Sequence, residues 1–333
     1  MGTIKEGARQ AVRNCLKIKP KEKVVIIADE ATLNVALVIK EEVMKITKDI
    51  HFFIMEDFGK RPLTLPKEIE LALKGTDVSF YIAQSFGGNE RVTFRKPMLD
   101  IIEASGRIRH AHMIGITPEI METGVCADYR RVQELCQRVY EKVKDAKQIR
   151  VLSKRGTDFT AEFSPKLRWV IYDGDIKPGI WANLPDGEVF TSPAEVNGII
   201  VVDGCFGSIF DDKYGSIKNT PATIKIRNSR IQEIQCKNKK LKQELLEYTK
   251  TDENSNRVGE FAIGTNVDIK KLIGNMLQDE KFPGIHIAFG NPLPFDSGAD
   301  WDSDTHLDAV IQKPTIIVDG ETIMKTGKFL LQY

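Results

Sequence analysis

The sequence predicts an α/β protein in two parts: an N-terminal doubly wound parallel-sheet domain over residues 1–147, and a C-terminal β-rich α+β metal-binding domain over 148–333. Three observations lead there. As far as residue 147, short apolar runs alternate with amphipathic stretches, the order that builds a parallel sheet through right-handed crossovers. Beyond it, Gly and Pro become frequent and short strands follow one another around turns. The histidines set among Gly, Asp and Pro, His286 and His306, both fall in that second part.

Residues 3–18 place Ile4, Ala8, Ala11, Val12, Cys15 and Leu16 at helical spacing, with Pro20 beyond the end. Val24-Val25-Ile26-Ile27 is short and β-branched, as a strand covered on both faces would be. Residues 32–48 return to helical spacing, and 51–55 (HFFIM) form the next strand. A helix over 66–74, a strand over 77–83, a helix over 98–103 and a strand over 111–115 follow. Residues 128–146 close this half as a long amphipathic helix. The first strand runs into Asp29-Glu30-Ala31-Thr32, and neither G-x-G-x-x-G nor a P-loop occurs, so no motif supports a nucleotide role. In the second half, strands over 148–152 and 158–163 flank the turn Lys154-Arg155-Gly156-Thr157, and further strands are expected at 199–202, 223–227 and 230–236. Residues 237–249 form a basic helix whose Lys237, Lys239, Lys240 and Lys242 read as a solvated face.

Charge and composition narrow the function. Lys plus Arg number 48 against 47 Asp plus Glu, a net charge of +1, without the basic excess that binding phosphates demands. No run approaches the roughly 18 apolar residues of a membrane-spanning helix, and the polar N-terminus lacks the apolar core of a signal peptide. The five cysteines are widely spread without a CxxC pair and read as reduced thiols of a cytoplasmic protein. Neither nucleic acid nor membrane is therefore expected as a partner; a small peptide or small molecule is.

Of the five histidines, His51, His110 and His112 lie in or beside apolar strands and read as structural or surface residues. His306-Leu307-Asp308 places an imidazole and a carboxylate two residues apart, on one face of a strand and within reach of one metal. His286 lies in a strand-like segment between Gly284 and Gly290. Glu188 follows a Pro-Asp-Gly turn in NLPDGEVFTSP, and Glu260 lies between a glycine and an apolar stretch in RVGEFAIGTN. A carboxylate among buried apolar neighbours is costly unless it pairs or binds a cation. Two Glu, two His and one Asp form a mixed O/N set suited to Zn²⁺, Co²⁺, Mn²⁺ or Fe²⁺, enough for one ion or for two sharing a bridging carboxylate. By spacing alone, Glu188 and Glu260 read equally well as surface turn residues.

The segments Gly156-Thr157-Asp158, NLPDGEVFTSP, RVGEFAIGTN, HIAFG and SDTHLDAV resemble, in order, the aminopeptidase T family of metallopeptidases, which includes leucyl aminopeptidases of the AmpS and PepS type. The opening AVRNCLKIKPKEKVVIIAD also resembles that family's first helix and strand, so the likeness spans nearly the whole chain. It implies a homodimeric metal-dependent aminopeptidase that binds two divalent ions, zinc, cobalt or manganese, through Glu188, Glu260, His286, His306 and Asp308. Glu188 and Glu260 are the carboxylates it implies for proton transfer. Two departures matter: the interval from His286 to His306 is compact in a chain shorter than typical family enzymes, and the family carries a tyrosine soon after the H-x-A-x-G histidine, whereas FGNPLPFDSGADWDSD here contains none and offers Leu293 and Phe295. Weak turnover, or none, on simple leucyl substrates is the expectation. Ring-cleaving dihydroxypyridine dioxygenases look similar to the same family, and His286, His306 and Asp308 would suffice for the facial triad of a mononuclear Fe(II) enzyme. A non-catalytic metal-binding protein is the third reading.

Overall fold

Val24–Ala28, buried at all five positions, is an inner strand of a parallel sheet in the computed structural model, which describes residues 2–85, 89–207 and 209–332. Its neighbours are Ile50–Ile54 on one side and Val78–Ala83 on the other, followed by Arg109–Ile114 and Trp181–Asn183, every pair parallel. Burial on both faces explains the unbroken apolar reading of these strands. The helices Lys67–Lys74 and Lys96–Ser105 cover one face, where Ile69, Leu73, Met98 and Ile102 pack with Val25, Ile27 and Tyr81. The Asp29 carboxylate at the end of the first strand is already engaged. It accepts from the Thr32 amide at 2.9 Å, the Gln84 amide at 2.7 Å and Arg61 Nη1 at 2.6 Å.

The remaining strands form two antiparallel sheets. One has eight strands, ordered Arg230–Cys236, Ala222–Arg227, Glu195–Val202, Asp158–Glu162, Gln148–Leu152, Thr315–Val318, Glu321–Lys325 and Lys328–Phe329. The other has five, ordered His306–Ile311, Gly284–Gly290, Val258–Gly264, Glu188–Thr191 and Val170–Tyr172. Phe261 joins the two sheets through an aromatic cluster, its ring 6.3 Å from that of Phe159, 5.4 Å from Phe163 and 6.1 Å from Trp169. The α/β class read from the sequence is the one observed.

The chain divides into two compact units, Met1–Tyr129 with Gly174–Asp186, and Arg130–Asp173 with Gly187–Tyr333. A single cut at residue 147 differs from this at two elements. Tyr129–Val143, the long helix, falls in the second unit apart from its first residue, and its Cys136 thiol lies 2.9 Å from the Thr265 hydroxyl there. Trp181–Asn183 belongs to the first unit because it pairs in parallel with the Arg109 strand. A three-residue strand returning to a sheet after some seventy residues leaves no local signal; only the completed sheet defines it.

The first helix also differs in detail. Thr3 caps Ile4–Arg9 in a capping box with Glu6, and the chain continues as a π-helical stretch over Gln10–Cys15. Lys239–Tyr248 is capped by Asn238 and buries Leu241 and Leu245.

Candidate metal centre

The five-stranded sheet gathers the candidate ligands by register. Side chains directly opposite in an antiparallel pair share a face, as do alternate residues along each strand. Asp308 lies opposite Ala288, which lies opposite Glu260. His286 lies opposite Ala262, His306 opposite Gly290, and Glu188 opposite Gly264. All five candidates therefore stand on one face, separated by the small residues Ala262, Gly264, Ala288 and Gly290. Gly290 holds φ +99°, and a Cβ there would meet the Thr305 carbonyl oxygen at 2.2 Å. Only glycine fits.

The functional atoms converge. Glu260 turns one oxygen to each imidazole: Oε1 lies 3.5 Å from His286 Nε2 and Oε2 lies 3.3 Å from His306 Nε2. His306 Nε2 lies 3.2 Å from Asp308 Oδ1, and His286 Nε2 lies 3.6 Å from Glu188 Oε2. Two groupings result, Glu188–Glu260–His286 and Glu260–His306–Asp308, with Glu260 common to both. Glu188, Glu260, His286 and Asp308 are 2–7% exposed, which rules out surface-turn roles for the two glutamates.

Each imidazole is fixed by its second nitrogen. His286 Nδ1 donates to the Glu280 carbonyl at 3.1 Å, and His306 Nδ1 donates to the Asn291 carbonyl at 2.9 Å. A carbonyl only accepts, so Nδ1 carries the proton and Nε2 is left with a lone pair facing the carboxylates whenever the ring is neutral. Upstream of His306, Asp252 secures the approach, accepting from the Ser303 hydroxyl at 2.8 Å and from the Asp304 amide at 2.8 Å.

These residues fit a divalent cation. Nitrogen–oxygen separations of 3.2–3.6 Å match the edge, about 3.4 Å, of a tetrahedron with its centre about 2.1 Å from each corner, the bond length of zinc to such donors. Glu188 Oε2 is buried without a hydrogen-bond partner, an arrangement that costs free energy unless a cation meets it. Electrostatics agree. Burial alone would strip the proton from His286, yet Glu260, Glu188 and Asp308 hold its pKa up at about 9. His306 is held well above its ordinary value against burial, by Asp308 and Glu260. Burial would raise Glu260 and Asp308, but contacts with the imidazoles hold both below the usual carboxylate range. Protons on the rings thus supply the positive charge that a metal would replace.

The family follows from a comparison of the whole sequence. The profile described as thermophilic metalloprotease (M29) matches residues 112–331, two thirds of the chain and all five candidates. The chain belongs to the M29 metalloprotease family. It is accordingly a hydrolase of a metal-dependent class. Among solved structures it is similar to wild-type AmpT from Thermus thermophilus (TM-score 0.71, 15% identity, covering 98% of this chain and 99% of that one). It is also similar to 2,5-dihydroxypyridine dioxygenase from Pseudomonas putida KT2440 (TM-score 0.69, 15% identity, covering 98% and 97%). At that identity both establish the fold alone. No curated protein matches.

Sequence reasoning passed over two residues of this cluster. Glu280 forms a third grouping with His286 and Asp308; burial pushes its carboxyl up to about 8, Lys281 opposing and Glu188 and Asp308 adding to the rise. Lys281, 1% exposed, sets Nζ 2.5 Å from Glu188 Oε1 and 2.9 Å from Glu280 Oε1. Asp279-Glu280-Lys281 resembles a solvated charge run; the available signal was its seat between Met276-Leu277 and Phe282, ahead of a buried strand. The other histidines stand apart. His110 and His112 are buried in the parallel sheet, His110 bonded to Ser79 at 2.8 Å and His112 stacked on Tyr81 at 5.1 Å, while His51 is exposed.

The tyrosines sort as clearly. Tyr214 bonds Glu244 at 2.7 Å and Tyr248 packs edge-on against Phe210, whereas Tyr172 lies opposite Glu188 in register. Phe295 is 82% exposed and lines a shallow hollow of about 450 Å³ with Tyr140, Arg168 and Trp169.

Proposed function

We propose that this chain is a metal-dependent aminopeptidase that removes N-terminal residues from peptides, with Glu188, Glu260, His286, His306 and Asp308 holding divalent metal. The observation that carries the proposal is Glu260, which presents one oxygen to each of two imidazoles inside a buried, carboxylate-rich cluster of an M29 chain. A shared carboxylate of this kind suits two ions, and zinc, cobalt and manganese all accept its donor set. Bound there, such ions bring the pKa of a coordinated water from about 16 towards 7 and polarise a carbonyl.

The protein's own groups do the rest. The Nδ1 bonds to Glu280 and Asn291 keep both rings aimed. Glu188 and Glu260, the carboxylates that border the proposed ions, would take up the proton released by the attacking water and return it to the leaving amine. The buried face excludes bulk water, which strengthens each of these interactions. A homodimer in the cytoplasm, acting on small peptides, completes the proposal.

A mononuclear Fe(II) dioxygenase would use His286, His306 and Asp308 alone. It would leave Glu260, in contact with both imidazoles, without a place. The test is an anaerobically purified, metal-analysed sample offered mixed peptides, a leucyl anilide and a dihydroxypyridine. The proposal expects release of N-terminal residues with zinc, cobalt or manganese, abolished by chelation. Ring cleavage with one iron per chain and intact peptides would contradict it.

A further inference from the structure

We infer that Lys281 is a positioning residue that limits Glu188 and Glu280 to one free oxygen each, and so sets the coordination number at the metal centre. The inference rests on the metal-binding reading above. Lys281 follows the short helix Met276–Asp279 and is 1% exposed, so its ammonium has exchanged water for protein. Burying that charge is tolerable only with close, well-aligned anions. Two carboxyl oxygens meet it, Glu188 Oε1 at 2.5 Å and Glu280 Oε1 at 2.9 Å. These acids come from separate stretches of chain, so one ammonium ties them together.

The arrangement leaves a definite remainder. With Oε1 of Glu188 occupied by Nζ, only Oε2 is available, and Oε2 is the atom that lies 3.6 Å from His286 Nε2 without a hydrogen-bond partner. Glu280, whose Oε1 meets the same ammonium, also groups with His286 and Asp308. A carboxylate with both oxygens free can chelate an ion through the pair; one oxygen held by a fixed ammonium binds singly and keeps a position open for substrate or water. The adjacent backbone acts with it, since the Glu280 carbonyl orients His286. Charge adds to this: the buried ammonium meets one oxygen each of Glu188 and Glu280, a fixed cation beside the carboxylate cluster that does not compete as an exchangeable ion.

The test uses full-length protein stripped of metal and reloaded with Co²⁺, whose visible absorption is strong at four-coordinate and weak at six-coordinate centres. In Lys281→Met, Glu188 is free to chelate. We expect the molar absorptivity to fall and Co²⁺ affinity to weaken ten- to a hundredfold, the range seen when groups supporting ligands are removed. Lys281→Arg, which restores a cation and its donors, should return the spectrum towards wild type. A folded Lys281→Met protein with wild-type spectrum and affinity overturns the inference while leaving the metal site intact. A wild type that takes up no metal overturns the reading beneath it as well. Should Lys281→Met not fold, X-ray absorption and a crystal structure of the loaded wild type decide. Glu188 bound through Oε2 with Oε1 still on Lys281 supports the inference; Glu188 chelating through both oxygens overturns it.

Discussion

Glu260 is the residue on which the site turns, because its two oxygens face different imidazoles. Glu260→Gln keeps the shape but removes the charge and replaces one acceptor by a donor. We expect metal affinity to fall by more than a hundredfold, beyond the range for merely supporting groups, and hydrolysis to be lost with it. Isothermal titration with Zn²⁺ would check this. The imidazoles carry a pH prediction for the metal-free protein. His286 has a folded pKa of about 9 against about 6.5 unfolded, so its stabilisation is complete below about pH 6.5 and disappears as the pH climbs through 9. Glu280, raised to about 8, acts with the same sign: a folded state that prefers the protonated acid loses ground as that acid ionises. In EDTA the Tm should fall between pH 6 and pH 9, and saturating zinc should remove most of the fall; equal slopes with and without zinc would contradict the assignment. The five converging side chains could be singled out in the sequence because each is chemically distinctive and lies in a Gly- or Pro-marked segment. Lys281 and Glu280 were not, since a buried charge pair and a solvated one share the same letters.

At the scale of elements, the ligand-bearing face works because small residues separate its ligands. Ala288 stands between Glu260 and Asp308 in register. Ala288→Leu places a branched side chain where the donors converge; overpacking costs about 1–3 kcal/mol. We expect a folded protein with a modestly lowered Tm and no bound metal by elemental analysis. The opposite face should behave in the reverse way. Phe261, fully buried against Phe159, Phe163 and Trp169, anchors the two sheets, and Phe261→Ala should cost about 3–5 kcal/mol in denaturant unfolding. Metal stoichiometry in the folded fraction should stay at the wild-type value. Strand periodicity made some of these elements readable; among those it did not reach are Val170–Tyr172 and Trp181–Asn183. Both are three residues long, too short for alternation to register, and each is defined by a partner distant in sequence.

For the molecule as a whole, the α/β class followed from the alternation of apolar runs and helices, while the division of the chain did not. Composition changes near residue 147, but the units part at Tyr129 and at Gly174–Asp186, because packing rather than composition assigns the long helix and the returning strand. Among the described residues no helix is long and apolar enough to cross a membrane. The segment after His286 lacks the tyrosine that the resemblance leads one to expect, and Phe295 there is 82% exposed. Losing one donor to a developing oxyanion costs on the order of 10²–10³ in rate. Leucyl anilide turnover should therefore lie well below the enzyme median of about 10 per second with zinc, cobalt or manganese. A rate at that median would show that another group, such as Tyr172 opposite Glu188, supplies the donor.

The central claim, a divalent-metal centre built by four strands of one antiparallel sheet, is tested most directly by anomalous diffraction from crystals soaked in zinc. The account predicts peaks about 2.0–2.2 Å from the carboxylate oxygens of Glu188, Glu260 and Asp308 and from Nε2 of His286 and His306, with Glu260 touching whichever ions are present. Full zinc occupancy elsewhere, with these five side chains unchanged and free of metal, would contradict it.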